Sequence, residues 1–201
     1  MPPVCGNQVP SPACLLRPNA GQSMNRIQLE HIIRAASEIA ADKEIVVIGS
    51  QAIHAQSAAL PAVAFRSQEA DVFPRNFPER SDEIDGAIGE LSQFHQSFGY
   101  YAHGVSPSTA ILPEGWQLRL VPLVNSNTGG ATGLCLEPHD LVLSKYAAGR
   151  AKDLDFNLAL IKQRIVSRDQ LFVLLKAMPL DDKAKSVIAS HISADFAAPQ
   201  S

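Results

Sequence analysis

Two carboxylates stand one residue apart in Glu69-Ala70-Asp71-Val72-Phe73, a run whose residue types favour an extended strand. In a strand, residues i and i+2 point to the same side, so the side chains of Glu69 and Asp71 should be neighbours. Two carboxylates held in this way can bind a hard divalent cation such as Mg²⁺, which could clamp phosphates and activate an attacking hydroxyl. The spacing therefore predicts a metal site, and two solvated acids on a strand edge are the alternative.

A second pattern with chemical meaning is the Gly49-Ser50 turn, which follows the β-branched run 44–48. That run is typical of a buried strand, and the Ala-rich stretch 51–59 after it predicts a helix that Pro61 ends. Glycine lets the backbone approach a ligand closely, and a helix N-terminus offers free N–H groups to a phosphate. The turn therefore predicts phosphate binding through Gly49 and Ser50, although many α/β proteins contain such a turn without a phosphate.

Basic residues gather later in the chain, between Lys145 and Asp153. Lys145, Arg150 and Lys152 could neutralise the charge that develops on a phosphate during transfer. The carboxylate of Asp153 beside them could bind a metal or orient a base. Lys145 and Arg150 are predicted to lie on one helix, with Lys152 and Asp153 at its end. Ordinary salt bridges along a helix are the alternative interpretation.

The elements that must position these residues can be predicted from hydrophobic periodicity. Asn25 should cap a helix over 26–41, and a second helix is predicted over 81–98 because its apolar residues share one face. Those residues are Ile84, Ile88, Leu91 and Phe94. Strands are predicted at 44–48, 69–73, 100–102, 109–112, 117–121 and 134–136.

The last third of the sequence is predicted to be helical. Pro138 suits a first helical turn, a second helix should run from Asp153 to about Ile165, and Ser167 and Asp181 should cap two more. We therefore expect an α/β fold with a mixed sheet, followed by a helical segment. The predicted organisation is a flexible Pro-rich tail at 1–24, an α/β core at 25–136 and a C-terminal helical segment at 137–197. Met24, where helical patterning begins, is a candidate for the true start.

Composition narrows the class of protein. Of the 201 residues, 46% are hydrophobic and 18% are charged, which is enough apolar material for a sizeable core. The net charge of −3 argues against a protein that coats nucleic acid through bulk charge. Cys5, Cys14 and Cys135 form neither a disulfide framework nor a zinc motif, and no apolar run has membrane-spanning length. These features predict a cytoplasmic protein without a membrane partner.

The order of the three motifs resembles the nucleotidyltransferase-like family that includes the AbiEii-type toxins, within the polymerase-β-like superfamily. The likeness lies in Val-Ile-Gly-Ser-Gln-Ala, the acidic-x-Asp pair and Lys-x4-Arg-x-Lys-Asp, and it covers about residues 44–160. It implies a mixed sheet flanked by helices and then a helical region. It also implies nucleotidyl transfer from an NTP, with Mg²⁺ or Mn²⁺, onto a tRNA or protein acceptor, and pairing with an antitoxin.

The resemblance also implies a role for each matching residue. Gly49 and Ser50 would form the phosphate-binding turn, and Glu69 and Asp71 would be the metal-binding pair. Lys145 matches the lysine that holds the NTP, and Asp153 matches the acidic residue of the last motif. Arg150 and Lys152 would add positive charge around the nucleotide.

Two departures from the family pattern leave a second function open. The usual first acid is aspartate, and here it is Glu69, which is longer by one methylene. A third carboxylate is expected on a later strand, yet the predicted strand 117–121 offers only Arg119. The alternative is therefore a non-catalytic module on the same fold, which binds a nucleotide or another protein.

Overall fold

The first helix, α1 (Arg26–Ala40), forms where the apolar pattern predicts it. The Asn25 side chain accepts from the Gln28 backbone N–H, and the Gln28 side chain accepts from the Asn25 N–H, which together make a capping box. The computed structural model describes residues 24–56 and 60–198. The predicted tail at 1–24 lies outside them except for Met24, which is buried and donates its N–H to Ser67 O at 2.9 Å.

A five-stranded mixed sheet lies at the centre of the described chain, in the order β3-β2-β1-β5-β4. Its pairs β1–β5 and β2–β3 are parallel, whereas β1–β2 and β4–β5 are antiparallel. Its strands are β1 (Glu44–Val47), β2 (Glu69–Pro74), β3 (Tyr101–Gly104), β4 (Val121–Leu123) and β5 (Thr132–Cys135). This arrangement confirms the expected mixed α/β fold.

The predicted helix over 81–98 is wrong as a single element. It is divided into α2 (Ser81–Ile88) and α3 (Gln93–Phe98), and Leu91 between them has a positive φ of 63° and is 78% exposed. Ser92 starts α3 by accepting from the His95 backbone N–H. A local cap therefore overrides the apolar periodicity that seemed to continue through Leu91.

Two predicted strands are also wrong. The stretch 109–112 forms no strand, because the chain there leaves a short 3-10 turn at Pro107–Thr109 and meets Pro113. The stretch 117–121 begins inside another 3-10 turn, Trp116–Leu118, and the strand starts only at its last residue. Apolar alternation predicted pairing for both, but Leu118 is 92% exposed and covers no core.

Four helices follow the sheet, and their predicted caps Ser167 and Asp181 are confirmed. They are α4 (Pro138–Ala148), α5 (Ala151–Lys162), α6 (Arg168–Lys176) and α7 (Asp182–Ala197). Their buried residues join those of α1 and the sheet in one hydrophobic core. In the described ranges, no helix is both long and apolar enough to cross a membrane.

Arg119 fastens the turn before β4 to the start of α4. Its guanidinium donates to both oxygens of Asp140 at 2.8 Å, and the Asp140 side chain is completely buried. Burial raises the pKa of Asp140, although the hydrogen bonds and charge of Arg119 oppose that rise. Arg119 is therefore a structural residue at one end of a buried ion pair.

Arg119→Met should destabilise the protein by about 3 kcal/mol, because it leaves a buried carboxylate without its partner. The matched control is Arg75→Met, which removes an exposed ion pair to Glu44 and should cost less than about 1 kcal/mol. Urea unfolding of both variants measures the difference, and equal losses would contradict a structural role for the Arg119–Asp140 pair.

Candidate active site

The end of β1 meets the start of β2, because these two strands run antiparallel. Val47 pairs with Val72, and beyond it the Ile48 N–H donates to Asp71 O at 3.0 Å. The next residue, Gly49, passes directly beneath the Asp71 side chain. A Cβ placed on Gly49 would lie 2.0 Å from Asp71 Oδ2, so only glycine permits this approach.

The acidic pair shares one face with a histidine from the neighbouring strand. The parallel register of β2 and β3 sets Glu69 opposite Tyr101 and Asp71 opposite His103. His103 Nδ1 lies 3.3 Å from Asp71 Oδ1 and 3.4 Å from Glu69 Oε1. Within the described ranges, Glu69, Asp71 and His103 form a group whose metal-ligand atoms lie within 4.8 Å of one another.

Tyr101 holds the other oxygen of Glu69, donating its hydroxyl to Oε2 at 2.9 Å. Burial and this hydrogen bond raise the pKa of Tyr101, so its hydroxyl keeps its proton and remains a donor. One oxygen of each carboxylate, Oε1 of Glu69 and Oδ1 of Asp71, faces His103. The Oδ2 atom of Asp71 lies against Gly49, and Oε2 of Glu69 accepts from Tyr101.

The two carboxylates hold their protons very differently. Burial, followed by the negative charge of Glu69, raises the pKa of Asp71 to about 6. Burial also raises the pKa of Glu69, but hydrogen bonds from Tyr101 and Asp71 outweigh it and lower that pKa overall. Ionisation of both acids costs free energy because their negative charges repel each other. A cation bound beside them would offset that repulsion.

The basic residues lie at the corner between α4 and α5. Gly149, with φ 65°, ends α4, and Arg150 is the N-cap residue of α5. The prediction that Lys145 and Arg150 share one helix is therefore wrong. The left-handed glycine turns the chain, and the turn brings the two cations together from different helices.

Asp153 unites this corner and is almost completely buried. Its Oδ1 accepts from Lys145 Nζ at 2.7 Å and its Oδ2 accepts from Arg150 Nε at 2.5 Å. Burial raises the pKa of Asp153, yet these two hydrogen bonds outweigh it and lower the pKa overall. Lys145 also lies over the Phe156 ring, 4.5 Å from its centroid. Asp153 thus orients the cations and is not grouped with the acidic pair on β2.

The Gly49-Ser50 turn leads into a short 3-10 helix, Ser50–Ala55, and not into the longer α-helix predicted over 51–59. Residues 57–59 of that prediction lie outside the described residues. The turn therefore offers a phosphate the Ser50 hydroxyl and a few N–H groups, with less help from a helix dipole than the sequence suggested.

All of the predicted site residues line one cavity of about 650 Å³. They are Gly49, Ser50, Glu69, Asp71, Lys145, Arg150, Lys152 and Asp153. Glu69 and Asp71 line the cavity from β2, and Lys145, Arg150, Lys152 and Asp153 line it from the α4–α5 corner. Sequence reasoning missed Arg66 and His103 in the same lining. The sequence signal for His103 was that it lies two residues after Tyr101, so both side chains share one face of a strand. Only the β2–β3 register shows that this face lies beside Glu69 and Asp71.

The strand beside the acidic pair is β3, and not the 117–121 stretch in which a third acid was sought. Arg119 from that stretch is bonded to Asp140 and does not line the cavity. At the position next to Asp71, β3 presents His103. The site therefore has a third polar group facing its two carboxylates, and that group is an imidazole.

Comparison with known proteins gives one family. A sequence-family model described as "nucleotidyltransferase of unknown function (DUF6036)" matches residues 27–193, which include every element from α1 to most of α7. No curated protein and no solved structure matches the chain. The matched range contains the whole cavity lining described above.

The raised pKa of Asp71 predicts how stability changes with pH in the absence of metal ions. The folded carboxyl binds its proton more tightly than an unfolded one does, so its stabilising contribution is complete below about pH 4 and is lost as the pH rises through about 6. Asp71→Asn mimics the protonated form, so it should raise the Tm relative to wild type above pH 6 and leave it unchanged near pH 4.

Thermal unfolding in EDTA between pH 4 and 8 measures this difference, with the exposed Glu38→Gln as the control. The control should track wild type at every pH. An Asp71→Asn variant that is less stable than wild type at pH 8 would contradict the electrostatic account of the pair.

Proposed function

The chain belongs to the DUF6036 family of nucleotidyltransferases, and from that premise we propose that it transfers a nucleotidyl group from an NTP to RNA or protein with the help of a divalent metal ion. The acceptor hydroxyl would attack the α-phosphorus of the NTP and lose its proton to solvent. A bond between that oxygen and phosphorus forms, the bond from the α-phosphorus to its bridging oxygen breaks, and pyrophosphate leaves.

The observation that carries this proposal is the division of charge across one cavity. Glu69 and Asp71 come from β2 and Lys145 and Arg150 from the α4–α5 corner, and all four line one cavity of about 650 Å³. A triphosphate needs cations along its length, and a divalent metal needs oxygen ligands beside it. The cavity offers both kinds of group, which suits a metal–NTP complex.

The residues on the acidic wall fit a divalent cation. Glu69 and Asp71 supply carboxylate oxygens from one strand face, and the pKa of Asp71, raised by burial and by Glu69, marks an unbalanced negative charge. Gly49 has no Cβ, and the Asp71 carboxylate takes the place where one would stand. A cation bound there would neutralise charge on the phosphates and favour ionisation of the attacking hydroxyl.

At the α4–α5 corner, the chain's own cations would bind the triphosphate. Asp153 fixes Lys145 and Arg150 in place before the nucleotide arrives, so less side-chain freedom is lost on binding. Lys152 and Arg66 are exposed and line the same cavity, where they can contact phosphate oxygens or an acceptor. The Ser50 hydroxyl and the Gly49 turn would donate to the phosphates from below.

The test is incubation of the full chain with each NTP labelled at the α-phosphorus, with Mg²⁺ or Mn²⁺, and with total tRNA. We expect label on RNA or protein from wild type and from the exposed control Glu38→Gln, but at least roughly a hundredfold less from Asp71→Asn, which removes a metal-binding charge. Lys145→Gln should raise the KM for the NTP more than it lowers kcat.

Label that persists undiminished in Asp71→Asn would contradict the proposed mechanism. If folded wild type binds NTP and transfers no label to any acceptor, the non-catalytic nucleotide-binding module is the correct function. If it neither binds nor transfers, both functions fail and the family and fold remain.

We extend the proposal to a toxin role with an antitoxin partner, supported by the motif order shared with the AbiEii-type toxins. Expression of wild type in a bacterial host should then arrest growth, and Asp71→Asn should not, because arrest would depend on transfer. Glu38→Gln should arrest growth like wild type. Equal growth of all three strains, with transfer detected in vitro, would overturn the toxin role and leave the transferase intact.

A further inference from the structure

His103 stands where a third ligand of the proposed metal would stand. Its Nδ1 atom lies 3.3 Å from Asp71 Oδ1 and 3.4 Å from Glu69 Oε1, so one atom faces both carboxylates at once. The side chain is half exposed on β3 and lines the cavity. No other polar group of β3 takes this position, because the β2–β3 register sets His103 directly opposite Asp71.

The distances of His103 Nδ1 from the two carboxylate oxygens are close to those in an octahedral site. Ligands at about 2.1 Å from an ion lie about 3.0 Å apart when they occupy adjacent corners. The distances from His103 Nδ1 to the two carboxylate oxygens exceed that edge by only a few tenths of an ångström. A cation could therefore enter between the three atoms with little movement of the strands.

The scaffold aims the ligand atoms before any ion binds. Tyr101 occupies Glu69 Oε2, and the backbone of Gly49 packs against Asp71 Oδ2. The other oxygens of the two carboxylates, Oε1 and Oδ1, are the two that face His103. Such fixed orientation is what the groups behind a metal ligand usually provide.

Resting on the function proposed above, we propose that His103 Nδ1 is the third protein ligand of the metal and that it makes the site prefer Mn²⁺ to Mg²⁺. Mg²⁺ takes oxygen ligands, whereas imidazole nitrogen suits transition-metal ions. A set of two carboxylates and one imidazole thus raises Mn²⁺ affinity relative to Mg²⁺. On binding, the Nδ1 lone pair faces the ion and the imidazole proton resides on Nε2.

The rival explanation is that His103 is only an ion-pair partner for two crowded acids. The two roles differ in what happens when the ion arrives. A ligand nitrogen bonds to Mn²⁺ and couples to its unpaired electrons, whereas an ion-pair partner is displaced and does not. Affinity for Mg²⁺ distinguishes the two roles as well. An ion-pair partner that must be displaced would lower the affinities for Mg²⁺ and Mn²⁺ equally, whereas a nitrogen ligand would favour Mn²⁺.

The experiment titrates Mn²⁺ alone into the full chain, follows free ion by electron paramagnetic resonance, and repeats the titration in competition with Mg²⁺. Wild type should bind Mn²⁺ at least roughly tenfold more tightly than Mg²⁺, and pulsed resonance should detect a coupled histidine nitrogen. His103→Gln should lose the nitrogen coupling and at least roughly tenfold of the Mn²⁺ affinity. His103→Asp, which makes all three ligands oxygen atoms, should retain metal binding and reduce the preference for Mn²⁺ over Mg²⁺.

The matched control is His191→Gln, which removes an exposed histidine on α7 and should leave affinity, preference and coupling as in wild type. The role of His103 would be overturned if His103→Asp kept the wild-type preference for Mn²⁺ over Mg²⁺, or if wild type showed no nitrogen coupling. Loss of metal binding in Asp71→Asn would still support the proposed metal site in that case. If folded wild type binds neither ion, the metal dependence proposed above fails, and this inference fails with it.

Discussion

The backbone of Gly49 lies against the carboxylate of Asp71, and the geometry of the cleft depends on that contact. It arises because β1 and β2 pair antiparallel, so the chain leaving β1 crosses the side chains entering β2. Asp71 Oδ2 lies on the Gly49 side, and Asp71 Oδ1 faces His103. A Cβ at position 49 would therefore force the Asp71 carboxylate to move.

A second constraint is the separation of opposite charges within one cavity. Lys145 does not pair with the acids of β2, because Asp153 holds it at the α4–α5 corner together with Arg150. The buried carboxylate is stabilised by these two cations, and the cations keep a fixed place. Asp153 therefore keeps the two cations at the α4–α5 corner, in the same cavity as the acids of β2.

Two pairs of acids in the protein are stabilised in different ways. Glu30 is satisfied by the amides of Asn125 and Asn127, and Asp140 by Arg119, so both are closed structural contacts. Glu69 and Asp71 instead lie beside each other, and burial with their mutual repulsion raises the pKa of Asp71 to about 6. An unbalanced pair of this kind costs stability in the folded protein, and such costs are typical of sites that await a ligand.

The sequence by itself determined the elements whose signals are local. Asn25, Ser167 and Asp181 cap helices as predicted, because a capping side chain bonds to a backbone N–H only a few residues away. The β-branched run before Gly49 and the alternation of Glu69 and Asp71 likewise placed two strands and one acidic face. The order of motifs was enough to predict a nucleotidyltransferase-like fold.

Only the tertiary structure decided which distant residues meet. His103 is 32 residues from Asp71 along the chain, and their contact follows from strand register, which no local pattern encodes. The same is true of Arg119. Apolar alternation predicted that it lies in a strand, but it follows a 3-10 turn and pairs with the buried Asp140. Gly149 separated Lys145 and Arg150 onto two helices, and Asp153 brought them together again. Local hydrogen bonds fix elements, but long-range pairing and burial select the partners that complete a site.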